Sequence, residues 1–181
     1  LWTVTLDRPE KANSLTEAML ADLAAIAGEA AEARDLRALI LTGAGDKVFS
    51  AGADLEAARA GLATSPLWEA VSGGIAALPC LTIAALNGTL AGGAFGMALA
   101  CDLRIAVPGA RFFYPVAKLG FLPQPSDPGR LRALIGPART KLLLLGGAKI
   151  GAEEALSFGL IDRIAPGESL IDTARAVAAD A

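Results

Sequence analysis

Short apolar runs alternating with helical patterns set the architecture open to this chain. Ala38 to Thr42, bounded by Gly43-Ala44-Gly45, and Leu81 to Leu86 read as buried strands, and Leu103 to Ala106 as another. Helical patterns separate them, and no fixed-length repeat recurs along the chain. That alternation predicts an α/β fold with a largely parallel sheet. No shift in composition marks a second domain, so residues 1–181 read as one domain.

The remaining elements follow from local signals. Trp2 to Leu6 alternates as a strand and ends at the turn Asp7 to Lys11. Ser14 with Glu17 forms a capping-box pattern for a helix to about Ala33, with Met19, Leu20, Leu23 and Ile26 on one face. A helical segment follows Asp54, and Ser65-Pro66 starts a helix that Pro79 ends. Gly93 to Cys101 reads as helix, Pro115 to Pro128 mostly as loop, and helices are expected near 130–135, 138–145 and 152–158. Gly159 supplies a helix-ending C′ residue, 161–164 a late strand, and a final helix starts near Ser169. The chain stops within that alanine-rich pattern, so its C-terminal helical segment is expected to be incomplete.

The residue inventory removes several chemistries. The chain contains no histidine, which excludes from within it a Ser-His-Asp triad, a Cys-His pair and the usual zinc sites, so no metal site is expected. Cys80 and Cys101 have no metal or redox spacing and read as small buried apolar residues. A net charge of −3 argues against nucleic acid as the main partner. No run reaches the length of a membrane span, and the first segment lacks the basic lead of a signal peptide. The expected compartment is the reducing cytosol.

Two turns of small residues carry the functional signal: Ser50-Ala51-Gly52-Ala53-Asp54-Leu55 and Asn87-Gly88-Thr89-Leu90-Ala91-Gly92-Gly93-Ala94. Turns without bulky side chains let a ligand approach the backbone, and the second runs into a helical pattern whose first N–H groups lack partners. Such donors hold an anion or a developing oxyanion. Rival glycine motifs fail: Val48 stands where the third glycine of G-x-G-x-x-G belongs, and neither a P-loop nor a G-x-S-x-G elbow occurs.

The stretches LDRPEKANSL, RALILTGAGDKVFSAGADL, IAALNGTLAGGAFGMALACDLRIAVPGARF, KLGFLP and IGAEEALSFGLIDRIAP, in this order, resemble the enoyl-CoA hydratase/isomerase (crotonase) superfamily over nearly the whole chain. The resemblance implies a superhelix of repeated strand-strand-helix turns, assembled as a homotrimer or a pair of trimers. It implies an acyl-CoA thioester as ligand, with CoA entering as part of the substrate and no separate cofactor. The thioester carbonyl would lie between the backbone N–H groups of Ala53 and Gly93, which stabilise an enolate. By the same match Lys11 and Ala12 lie where relatives meet CoA, and Ala51, Asp54 and Leu55 where adenine and pantetheine pass; Leu90, Gly92, Pro115 and Val116 complete the expected binding set. Lys11 has an alternative as a solvated turn lysine, and Asp54 as a turn and cap residue.

Hydratases of this superfamily use two glutamates, and the matching positions hold Gly96 and Val116. General acid–base catalysis supplies about 10²- to 10⁴-fold, so hydration requires a substitute. Tyr114 as a proton donor, Gln124 as a water-orienting group and Asp127 as a base are the candidates, against a half-buried packing role for Tyr114 and a turn or N-cap role for Asp127. Three functions stay open. One is hydratase/isomerase-type chemistry; another is decarboxylation of a malonyl-type thioester, which needs the oxyanion donors most and a base least; the third is acyl-CoA binding without turnover. Asp102 is expected to satisfy backbone or Arg104, and Phe95, Phe112, Phe113 and Phe121 belong either to the core or to an acyl tunnel.

Overall fold

The computed structural model describes residues 1–179 and 181. Among the described residues nine strands form two sheets: β1 Trp2–Leu6, β2 Ala38–Gly43, β3 Val48–Ser50, β4 Leu81–Leu86, β5 Thr89–Ala91, β6 Leu103–Ala106, β7 Arg111–Phe113, β8 Lys149–Gly151 and β9 Arg163–Ile164. The larger sheet has the order β1-β2-β4-β6-β9 and is parallel throughout. The smaller has the order β3-β5-β7-β8, parallel except for the antiparallel β7–β8 pair.

Helices α1 Glu17–Glu32, α2 Leu55–Arg59, α3 Leu67–Ala76, α4 Phe95–Ala100, α5 Asp127–Leu144, α6 Ala152–Phe158 and α7 Leu170–Ala178 complete the fold. The strand pairs β2/β3, β4/β5 and β6/β7 each give one strand to each sheet, and a helix follows each pair. These are the strand-strand-helix turns expected from the resemblance. Every residue of β2 is buried, as a parallel strand covered on both faces requires. One core cluster extends from Leu6 to Ala178, with Phe49, Ile83, Leu86, Phe95 and Phe112 among its wholly buried members.

The structure corrects several sequence expectations. Thr16, and not Ser14, is the N-cap of α1: its Oγ1 accepts from Met19 N–H at 3.2 Å. Ser14 is taken by tertiary structure instead, its Oγ accepting from Arg8 Nη1 at 3.1 Å. The predicted helix at Gly93 opens as a 3₁₀ turn over Gly92–Ala94 before α4 begins. The late strand shrinks to Arg163–Ile164. Within α5, Gly136 leaves helical geometry at φ 77°, which separates two helical pieces much as the sequence predicts. Cys101 is buried and its thiol is pushed up to about 12 by burial, whereas Cys80 is only half-buried; both are free.

Two asparagines fasten the loops beneath the cleft. Asn13 donates through Nδ2 to the carbonyls of Ala44 and Val48, both at 2.9 Å. Asn87 accepts Gly43 N–H at 3.0 Å and donates to Gly45 O at 2.9 Å. Both side chains tie the β2–β3 connection to neighbouring strand ends, fixing where the Ser50–Leu55 turn emerges.

Candidate active site

The two small-residue turns meet. Gly52 has φ 89°, and a Cβ there would lie 2.9 Å from Ala91 O and 3.3 Å from Gly93 N, so the absence of a side chain is what allows the turns to abut. Ala51, Ala53, Ala91, Gly92 and Gly93 together form one wall of a cleft of about 400 Å³.

Amides around Ala53 are already engaged. Gly52 N–H donates to Ser50 Oγ at 3.2 Å, and Asp54 N–H to Leu15 O at 2.8 Å. The Ala53 N–H between them takes no protein acceptor among the described residues. Gly93 lies in the first turn of its 3₁₀ segment, where the helix provides its N–H no acceptor. Two N–H groups without a protein acceptor among the described residues thus lie on adjacent turns of the cleft wall.

Asp54 sits behind this wall. Its Oδ1 accepts from the N–H groups of Glu56 and Ala57, capping α2, and its Oδ2 accepts from Arg8 Nη1 at 2.9 Å. The Arg8 hydrogen bond and these backbone N–H groups hold its carboxyl below the usual aspartate value. The cap role expected of Asp54 is thus the observed one, and it steadies the turn on which Ala53 is carried.

Opposite lie the hydrophobic parts of the cleft. Leu55, Pro115 and Val116 line it together with Phe113 and Phe121. Phe95 and Phe112 are wholly buried in the core. Trp68 forms part of the lining and was not foreseen: its Nε1 donates to Leu62 O at 2.7 Å, and its ring would meet a Cβ on Gly93 at 3.2 Å. Arg59 brings a cation to the wall. A tryptophan at helical spacing in α3 carries no local sign of this role, because the role comes from a glycine 25 positions away in sequence.

Other expected binding residues do not reach the cleft wall. Lys11 is exposed at the end of a 3₁₀ turn, and Ala12, with φ 53°, touches the site only by accepting Ala51 N–H at its carbonyl, 3.0 Å away. Leu90 is a buried core residue of β5 and does not line the cleft. Asp102 accepts from Thr82 N–H and Oγ1, both at 2.8 Å, while the buried Arg104 pairs with Asp162 at 3.0 Å.

Tyr114 and Asp127, 13 residues apart, are joined. The Tyr114 hydroxyl donates to Asp127 Oδ2 at 2.6 Å and accepts Gln124 N–H at 3.3 Å. Neither residue has solvent-exposed surface, so Tyr114 is more deeply placed than the expected half-buried packing residue. Its ring stacks on Phe95 at 5.2 Å between centroids, and it lines the inner cleft with Gln124. Ser126, and not Asp127, stands at the N-cap of α5; Asp127 is the first residue of the helix, and its Oδ1 has no partner among the described residues. Burial raises the Asp127 carboxyl to about 6, opposed by the Tyr114 bond and Arg130 and aided by Glu69. Burial and the facing Asp127 push the phenol upward.

The enoyl-CoA hydratase/isomerase family model matches residues 1–181. The chain belongs to the enoyl-CoA hydratase/isomerase family. A carnitinyl-CoA dehydratase of Citrobacter koseri is 38 % identical over 181 residues, covering 97 % of this chain and 68 % of that protein. The crystal structure of an enoyl-CoA hydratase from Bacillus anthracis superposes with TM-score 0.92 at 36 % identity, over 98 % of this chain and 71 % of the other. Pseudomonas aeruginosa DspI superposes with TM-score 0.90 at 31 % identity, over 98 % and 75 %. Among the described residues no helix is long and apolar enough to cross a membrane.

Proposed function

We propose that this family member binds an acyl-CoA thioester in the 400 Å³ cleft and polarises its carbonyl between Ala53 N–H and Gly93 N–H, so that the thioester passes through an enolate. The observation that carries this reading is the pair of unengaged donors on abutting turns. Negative charge gathers on the thioester oxygen as the enolate forms, and one preorganised N–H is worth about 3 kcal/mol of transition-state stabilisation. The apolar opposite wall suits an acyl chain and keeps water from competing for the donors.

Gly96 and Val116 direct the choice among enolate reactions. A thioester enolate formed by losing carbon dioxide needs the two donors and one returned proton, and decarboxylation of a malonyl-type thioester is therefore the second reading. Assembly as a trimer or pair of trimers accompanies both, and light scattering of the purified protein reads it. A mixed pool of enoyl-, 3-hydroxyacyl- and malonyl-type CoA thioesters, with carnitinyl-CoA included, separates the reactions by mass. Gain or loss of water supports hydratase-type chemistry, and loss of carbon dioxide supports decarboxylation. Retention of thioester on the protein without any mass change refutes turnover and leaves an acyl-CoA-binding protein.

A further inference from the structure

The place beside Gly96 has no side chain of its own, yet a carboxylate occupies it. A Cβ on Gly96 would lie 3.0 Å from Asp127 Oδ1. We propose that Tyr114 and Asp127 form a two-residue proton relay in which the Tyr114 hydroxyl exchanges a proton with the acyl α-carbon and Asp127 acts through Tyr114 as its positioning partner. This rests on the thioester-enolate reading above.

Several observations point the same way. A wholly buried carboxylate with one oxygen unpartnered among the described residues is unfavourable for folding, and Asp127, the first residue of α5 after its N-cap Ser126, makes no bond to a backbone N–H that would offset that cost. Its bond goes to Tyr114, a side chain that itself lines the cleft, at 2.6 Å. The Tyr114 hydroxyl is closed to solvent, and the longest contact closing it is the Gln124 N–H at 3.3 Å. An acyl group reaches that oxygen by displacing Gln124, whose side chain is otherwise held by Ala63 O at 3.1 Å.

Burial beside Asp127 disfavours a phenolate, so Tyr114 cannot stand as a free base; it accepts a proton only while passing its own on. In the forward step the α-carbon–hydrogen bond breaks and its electron pair moves into the enolate, whose oxygen lies at Ala53 and Gly93. The released proton goes to the Tyr114 oxygen, and the phenolic proton passes to Asp127 Oδ2, leaving a neutral carboxylic acid. The reverse step returns one proton to the α-carbon, including that of an enolate left by departing carbon dioxide. Three groups set the carboxyl's readiness: Tyr114 and Arg130 lower it, Glu69 of α3 raises it, and burial outweighs them to bring it to about 6. A group titrating there accepts and returns protons near neutrality.

Exchange of the α-hydrogens of butyryl-CoA in deuterium oxide, followed by mass spectrometry, tests the relay on the full protein, Tyr114→Phe and Asp127→Asn. Butyryl-CoA affinity and a thermal melt are measured on each. The expected result is exchange by the wild type that rises through an ionisation near pH 6, and loss of at least about 100-fold in both variants with affinity unchanged. Exchange retained by folded, binding Tyr114→Phe overturns the relay while the enolate reading stands. If Tyr114→Phe fails to fold, an ionisation near pH 6 that persists in Asp127→Asn overturns it equally. Binding of butyryl-CoA by the wild type with no exchange overturns the relay, while loss of carbon dioxide from a malonyl-type thioester in the mixed pool still reads the enolate step; absence of binding overturns the acyl-CoA reading itself.

Discussion

Replacing Asp127 with asparagine changes stability in a way that depends on pH with a sign fixed by burial. The carboxyl stands at 3.8 in an unstructured chain and at about 6 in the folded protein. Below the lower value both states carry the proton and folding is indifferent to it. Between the two the unfolded chain releases its proton and the folded protein keeps it, so stability falls as pH rises through this window and stays reduced above it. A shift of about two units corresponds to about 3 kcal/mol, since each unit is worth about 1.4 kcal/mol. Asp127→Asn cannot ionise and escapes that loss.

The amide has costs of its own, because its NH₂ or oxygen next to Gly96 lacks a partner, at about 1–3 kcal/mol. That cost does not vary with pH and cancels when the variant is compared with itself. The assay is denaturant unfolding of both proteins from pH 3.5 to 8. The stability of Asp127→Asn minus that of the wild type is expected to climb by about 3 kcal/mol across the range, with most of the change between 3.8 and 6. A flat difference refutes the reasoning: the carboxylate would then be no harder to ionise folded than unfolded. A difference that falls with pH would place a favourable partner on Oδ1.

Three further outcomes follow from the geometry. Gly52→Ala puts a Cβ 2.9 Å from Ala91 O at φ 89°, and is expected to destabilise by about 2–4 kcal/mol and to weaken thioester turnover by separating the two donor turns, read by melting and by the mass assay. Asn87→Ala leaves Gly43 N–H and Gly45 O unpaired beneath the cleft and should lower stability by about 2–4 kcal/mol in urea titration. Arg104→Met abandons the carbonyls of Leu160 and Cys101 and the Asp162 carboxylate; because Asp162 is half-exposed and can rehydrate, the loss is expected near the lower end of the range for buried pairs, about 3 kcal/mol.

The larger sheet was legible because its central strands are short, mostly apolar runs: Leu81–Leu86 and Leu103–Ala106 have the same limits in sequence and structure. The smaller sheet was not read as individual strands. β3, β5, β7 and β8 are three residues each, too short to show a period of two, and β5 lies inside a stretch read as turn. Thr16 displaced Ser14 as a cap because Arg8, adjacent only in space, claims the Ser14 hydroxyl. Both donor turns were visible as runs of small residues, since close backbone approach forbids side chains there. Tyr114 and Asp127 were each legible as a candidate, but their pairing, like the place of Trp68, was not: contacts made in space between separate elements leave no local pattern.

The most direct test of the account is the vibrational spectrum of a carbonyl-labelled butyryl-CoA bound to the protein. Two N–H donors aimed at the thioester oxygen weaken its C=O bond, so the stretch should move to lower frequency on binding, and Gly52→Ala should move it back toward the free value. A bound thioester whose carbonyl absorbs as it does in water would contradict the claim that Ala53 and Gly93 form the electrophilic centre of this cleft.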